Sequence, residues 1–460
     1  MTAALGLLGV ATAWGVGMAV ASAFAPGDRD RVTFFGLAYG VGLVWISTCI
    51  GGAALVGVPL AWPVGLAVVL VAAAARGMRF RRRSGGEARS AERAPREIVA
   101  DRDPWWWAGA ALVGVLWLIA ASRAALKPVQ GWDAWTDYTF KAKAIFLDGA
   151  ISNAMFSSVV APNYPLGVSL QEVWIAWFMG TWDDVGIKWL FPGYLLALIG
   201  LVYGALREHM SPRIAIAGTL AATGFPLLLQ HAQDGYTDLP FAYFALGNAV
   251  ALTAYARRDD RRHLLVAAVM AAGLVWTRAD GAGLVACSAL VLAAYDVRRR
   301  GVGWRSSLAP VSVYVAPAVA VWGTWTFVTL SLNLPSNLES DAAHGVPVLA
   351  RWASVLGSLA GALFLDGNWG IYWAMAALAA LYRFHETFES DMMFFVWPSV
   401  AYIGMIVVLF GTTGLSRFVL DGTVIHRVVL HVVPVTAIWV VLAFGRWWGV
   451  AAPPRTGSAA

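Results

Sequence analysis

Charge is scarce in this chain. Asp, Glu, Lys and Arg make up 13% of its 460 residues, about half the share of an average soluble domain. With 59% of residues hydrophobic and a mean hydropathy of +0.65, there is too little polar surface to cover a water-soluble fold. A bilayer has to serve as the solvent instead. Cysteine is nearly absent too. Cys49 and Cys287 both lie in apolar stretches, which excludes a disulfide framework and any zinc-type spacing. His231, His426 and His431 show no ligand-like clustering; they read as interfacial polar residues, and no metal or other cofactor is expected. The N-terminal apolar run has no Lys or Arg ahead of it and no small-residue cleavage pattern, so it reads as a retained span.

What charge there is carries topology. The net charge of +6 does not point to nucleic acid, because the basic residues sit in short clusters between apolar runs. A span needs about 20 apolar residues, and by that measure the chain holds about thirteen. Three come early, at 5–24, 32–55 and 60–75, and a fourth runs over 105–121. Nine more lie near 187–206, 214–229, 239–256, 264–276, 282–294, 308–330, 369–381, 392–410 and 428–444; the stretch 352–365 reads as interfacial. Alternate connections collect about 24 of the 33 Lys and Arg residues, among them Arg79, Arg81, Arg257, Arg258, Arg298 and Arg299. This places the N-terminus outside and the C-terminus in the cytoplasm. The domain layout expected is a three-span module at 1–75, a basic cytoplasmic linker at 76–104, a transmembrane core at 105–445 and a cytoplasmic tail at 446–460. The 24 Trp, many near span ends, suit the two membrane interfaces.

The other polar residues gather in one outer loop, 123–186. Residues 132–147 form a helix-like run in which Asp133, Asp137 and Lys141 stand four apart on one face. Asp137 and Lys141 at that spacing read as a helix ion pair worth about 0.3–0.5 kcal/mol. A second amphipathic run, 166–179, offers Leu170, Val173, Trp174, Trp177 and Phe178 to a membrane surface and turns Glu172 toward water. Asp183 and Asp184 flank the next span. Arg278 lies where an apolar helix pair is interrupted. A charge there is costly, so it needs a partner such as Asp280 or a phosphate. For Arg427, snorkelling to the interface is as good an account as a role in a site.

Five segments together resemble the GT-C class of membrane glycosyltransferases, which includes the protein O-mannosyltransferases and the aminoarabinose transferases of lipid A. They are Gly131-Trp132-Asp133-Ala134-Trp135 followed by Lys141-Ala142-Lys143, then Asn163-Tyr164-Pro165-Leu166, Asp234-Gly235-Tyr236-Thr237-Asp238-Leu239-Pro240, Trp276-Thr277-Arg278-Ala279-Asp280-Gly281, and His426-Arg427-Val428. The chain departs from the class pattern in four places. Ala134 follows Asp133 where a second acidic residue is common, one proline follows Tyr164, Val428 stands in place of a tyrosine, and three spans precede the signature loop where the class more often has one. High Ala, Gly, Val and Arg usage points to a bacterial chain, and the resemblance implies an all-α transmembrane bundle in the inner membrane, with amphipathic interfacial helices in its extracytoplasmic loop. It also implies inverting transfer of a sugar from a polyprenyl-phosphate donor to a glycan, lipid or protein hydroxyl, with membrane lipid as a further partner.

That chemistry needs a base beside the attacked carbon. It needs no acid for the leaving group, because a phosphate already carries its charge; cations that stabilise it suffice. Asp133 takes the place of the general base. Arg278, Arg427, Lys141 and Lys143 are candidates for the phosphate, and Tyr164, Asp234 and Asp238 for orienting substrate. The competing reading is a transporter or flippase of lipid-linked saccharides, which predicts internal repeats and polar groups at midplane.

Overall fold

A computed structural model describes residues 2–24, 30–84, 103–335, 348–389 and 392–451. Among them the regular structure is helical, apart from one isolated bridge between Met210 and Ala451. The linker expected at 76–104 falls mostly, and the tail at 446–460 largely, outside the described residues.

The chain opens with α1 (Thr2–Phe24), α2 (Arg31–Leu55), α3 (Trp62–Ser84) and α4 (Pro104–Leu126). The loop that follows holds a π-helical turn (Ala134–Tyr138), α5 (Thr139–Asp148), α6 (Asn153–Ser157) and α7 (Gly167–Met179). The bundle continues with α8 (Leu190–Arg207), α9 (Pro212–Thr223), α10 (Pro226–Asp234), α11 (Asp238–Arg258), α12 (Arg261–Thr277), α13 (Gly281–Arg299) and α14 (Trp304–Ser331). It closes with α15 (Val348–Phe364), α16 (Tyr372–Arg383), α17 (Met393–Thr412), α18 (Arg417–Leu420), α19 (Ile425–Leu430) and α20 (Val433–Trp447).

Among the described residues, eight helices are long and apolar enough to cross a membrane, and nine if the bent pair α9 and α10 counts as one span. Two shorter apolar helices, Trp62–Ala73 and Val433–Trp447, add to these. The count is lower than the thirteen apolar runs of the sequence because several runs are short helices. α12 has 17 residues and α16 has 12. The run at 214–229 is not one straight span. It bends by 68° between α9 and α10, where Pro226 biases the preceding Phe225 away from helical geometry; Phe225 is extended, with ψ at 128°.

The first helices share one core with the later ones. α1 and α2 cross at Gly17 and Gly42. A Cβ at Gly17 would lie 1.7 Å from the Ala38 carbonyl oxygen, and one at Gly42 would lie 2.1 Å from that of Ala13. Only glycine permits this approach, the usual device for close helix packing in lipid. From α2, the Tyr39 hydroxyl donates to Leu190 O at 2.9 Å. Tyr243 of α11 accepts from Gly40 N at 2.7 Å and donates to Gly36 O at 2.6 Å.

Helix α7 is not the surface helix its pattern suggested. It packs against α1, α2 and α5, with Leu170, Val173 and Trp174 buried and only Trp177 and Phe178 of its large apolar residues partly exposed. Its polar residues find partners inside the protein. Ser169 donates to Tyr138 O, Gln171 accepts from Tyr194, and Glu172 accepts from Thr139 at 3.1 Å. Glu172, expected in water, is 0% exposed. Amphipathic spacing marks a polar face, but it does not say whether water or protein will satisfy that face.

Candidate active site

The site forms where four helix ends meet. Asp133 precedes the π-helical turn after α4, Asp238 is the first residue of α11, Arg278 sits in the break between α12 and α13, and Arg427 lies in α19. They are distant in sequence and joined through one carboxylate. Asp238 is 0% exposed. Its Oδ2 accepts from Arg427 Nε at 3.1 Å and Nη2 at 3.0 Å, and its Oδ1 accepts from Arg278 Nη1 at 3.2 Å and contacts His431 Nε2 at 2.9 Å. His231 Nδ1 stands 3.5 Å from Oδ2. A buried carboxylate is tolerated only when paired in this way.

Arg427 carries the link outward. Its Nη2 donates to Asp133 Oδ2 at 2.6 Å, and the Asp133 side chain keeps 29% of its surface exposed. The guanidinium lies over the Tyr236 ring, 4.5 Å from its centre, a favourable cation–π position. The Tyr236 hydroxyl accepts from Trp132 N at 3.1 Å, tying the Asp133 segment to the turn between α10 and α11. Arg427 therefore points inward to carboxylates and does not snorkel. Desolvation works against its charge, but Asp238 and Asp133 outweigh it and hold the arginine firmly protonated.

Arg278 is aimed by the helix break. Its Nε donates to Asp280 Oδ1 at 3.0 Å. The chain reverses tightly here because a Cβ on Gly281 would fall 2.3 Å from Leu274 O. Two guanidinium ends donate to no protein group among the described residues, Nη2 of Arg278 and Nη1 of Arg427. Each is a donor suited to a charge-assisted hydrogen bond with an anion.

The other predicted residues lie elsewhere. Lys141 is buried and donates to Ala161 O at 2.7 Å and Tyr164 O at 3.4 Å. Desolvation lowers its pKa to about 8, against the pull of Asp137. Asp137 accepts from Ala161 N at 2.6 Å, and burial raises its carboxyl above the usual range. The bonds of the expected ion pair thus go to the backbone of residue 161, and together the two side chains clamp the 161–164 turn. That clamp places Tyr164 with its ring stacked on Tyr138, 5.9 Å between centres. Burial raises the Tyr164 phenol, Arg278 opposes that shift and Asp133 adds to it, so Tyr164 lies within electrostatic reach of the site. Lys143 is half exposed and 3.9 Å from Asp184. Asp234 ends α10, outside the arginine network, with its carbonyl against Gly131.

Sequence reasoning assigned no role in the site to three contributors. Tyr402 of α17 donates to Asp280 Oδ2 at 2.7 Å and contacts His431 Nδ1 at 2.9 Å. His431 is 0% exposed, so it is a buried member of the site and not an interfacial residue. Tyr236 is the third. The one available signal was a histidine at the edge of an apolar run that begins a helix. Among the described residues, no group of three His, Cys, Asp or Glu is arranged to hold a metal ion.

No family model matches the sequence, and no curated protein does so either. Among solved structures, the chain is similar to the crystal structure of ArnT from Cupriavidus metallidurans bound to undecaprenyl phosphate. The TM-score is 0.52 at 15% identity, over 77% of this chain and 61% of that one. The chain thus spans about three fifths of the length of the protein it matches. At that identity the likeness speaks for architecture: this is a multi-pass membrane protein with the GT-C fold that its loop motifs resemble.

Proposed function

We propose that the protein is a glycosyltransferase of the cytoplasmic membrane that moves a sugar from a polyprenyl-phosphate donor to an acceptor hydroxyl on the outer face. The observation that carries this reading is the placement of Arg427 between Asp133 and Asp238. It sets a partly exposed carboxylate beside two arginines that share the Asp238 carboxylate. The ArnT structure of like fold holds undecaprenyl phosphate, a lipid phosphate of the class this pair of guanidiniums suits.

In the proposed reaction Asp133 accepts the proton of the acceptor hydroxyl as its oxygen attacks the anomeric carbon. The bond from that carbon to the phosphate oxygen breaks, and its electron pair stays on the phosphate. Attack from the face opposite the phosphate inverts the anomeric centre. Arg278 and Arg427 stabilise the charge that develops, as fixed donors that need no reorganisation. Asp238 does not touch the substrate in this scheme. It holds both guanidiniums in place, and the donor phosphate competes with Asp133 for Arg427. Tyr164 borders the acceptor side, Lys141 secures its turn, and Lys143 and Asp234 stand at the rim.

The test is transfer of labelled sugar from a polyprenyl phosphate by the purified protein. Asp133→Asn keeps the shape and one hydrogen-bond acceptor but removes the base, so the rate is expected to fall about 10²- to 10⁴-fold. A folded Asp133→Asn protein that transfers at the wild-type rate removes Asp133 from the mechanism.

A further inference from the structure

Three short contacts run in line behind the arginines. His431 Nε2 lies 2.9 Å from Asp238 Oδ1, His431 Nδ1 lies 2.9 Å from the Tyr402 hydroxyl, and that hydroxyl lies 2.7 Å from Asp280 Oδ2. Each distance requires a proton between the two atoms. A neutral histidine and a tyrosine supply two protons, and ionised carboxylates supply none. The chain is therefore one proton short unless it has bound another.

We infer that His431 is a positively charged positioning residue, an imidazolium that donates from both ring nitrogens, to Asp238 on one side and to Tyr402 on the other. The alternative seat for the extra proton is Asp280. Asp280 already accepts from Arg278 Nε through Oδ1, which favours its ionised form. Burial lowers the pKa of the ring, Arg278 adds to that shift, and Asp238 and Asp280 oppose it; the charged ring gives every contact a proton while leaving Asp280 ionised against Arg278. The faces around it suit a cation. The Phe241 ring lies 4.3 Å away between ring centres, tilted by 35°. The charged and titratable groups facing His431 are Asp238, Asp280, Arg278 and Tyr402, with Arg427 and His231 on the far side of Asp238.

The consequence is electrostatic. Asp133, Asp238 and Asp280 bring three negative charges against two from Arg278 and Arg427. With the imidazolium the cluster is balanced, and the free guanidinium ends can take an anion; without it the cluster carries a net negative charge that repels one. This last step rests on the donor reading above, whereas the placement of the proton does not.

The experiment is ¹⁵N nuclear magnetic resonance of the full protein, histidine-labelled and in lipid vesicles, at pH 7.5. Water-facing histidines are mostly neutral there, with pKa values near about 6.5. Of the seven histidines, one is expected to show both ring nitrogens protonated, and its signal is expected to be absent from His431→Gln. Should that variant not fold, Tyr402→Phe carries the assignment, because loss of the phenol removes two of the three contacts and returns the ring to the neutral form. A wild-type spectrum in which every histidine has a bare nitrogen overturns the inference, and so does an imidazolium signal unchanged in Tyr402→Phe. Binding of undecaprenyl phosphate is expected to weaken about tenfold in Tyr402→Phe, the size of one charge-assisted hydrogen bond. Unchanged binding alongside the expected spectrum breaks the link to the donor while leaving the proton where it is placed.

Discussion

At the scale of single residues, burial decides which charges work on substrate and which work on other charges. Asp238 has no exposed surface, so its value lies in what it aims, whereas Asp133, partly exposed, is the carboxylate a substrate can reach. Glu172 shows the same rule without a partner charge. It accepts one hydrogen bond from Thr139, its Oε2 has no partner among the described residues, and burial raises its pKa to about 8. An acid whose pKa is higher folded than unfolded gives stability that is complete below the unfolded value and is lost as pH rises through the folded one. Glu172 is thus protonated and harmless at pH 4.5, and it opposes folding increasingly toward pH 8. Glu172→Gln, which stays neutral, is expected to raise the stability at pH 8 by on the order of a few kcal/mol, read as a higher unfolding midpoint. Little change is expected at pH 5. Equal shifts at both values, in thermal unfolding of detergent-solubilised protein, refute this account.

Helix ends and breaks place the chemistry at the next scale. Arg278 lies in a helix break and Arg427 in a short helix that follows one, and the break at Arg278 has a sequence cause. Gly281 allows α13 to start against the end of α12. Gly281→Val puts side-chain atoms where Leu274 O now lies, so the break must open and Arg278 must move away from Asp238. The expected outcome is a loss of about 1–3 kcal/mol in stability, with transfer falling much further than stability. Wild-type transfer by a destabilised Gly281→Val protein would show that the position of Arg278 is unimportant.

This is also where the sequence was most and least informative. Asp238, Arg278 and Arg427 were legible because each is a charged residue at the margin of an apolar run, where a charge demands a reason, and Asp133 because its loop segment resembles that of the GT-C class. Tyr402 and His431 were not, since Tyr402 looks like ordinary core in α17 and His431 is 193 residues from the carboxylate it serves. The face of α7 was misread because Gln171 and Glu172 answer to protein groups that only the folded chain brings near. Nor does an i,i+4 spacing reveal that Asp137 and Lys141 will both reach past each other to residue 161.

For the molecule as a whole, charge sidedness and the site make one geometric argument. Helices α11 and α13 both begin at the site, at Asp238 and Gly281, and both end in arginines, at Arg257-Arg258 and Arg298-Arg299. At about 1.5 Å per residue, 21 and 19 residues carry each helix about 30 Å, the thickness of a hydrocarbon core. The arginine clusters therefore lie one membrane away from the site. Since Lys and Arg collect on the cytoplasmic side, we propose that Asp133 and its neighbours sit on the outer face, where a lipid-linked donor and an extracytoplasmic acceptor would meet. Single cysteines in a Cys49→Ala, Cys287→Ala background test this orientation. Lys143 and Arg262 are half exposed and are not among the residues proposed to touch the reacting groups. A membrane-impermeant maleimide added to intact cells is expected to label Lys143→Cys and to reach Arg262→Cys only after the membrane is opened. The reverse pattern would put the site in the cytoplasm, and the outer-face acceptor would fall with it.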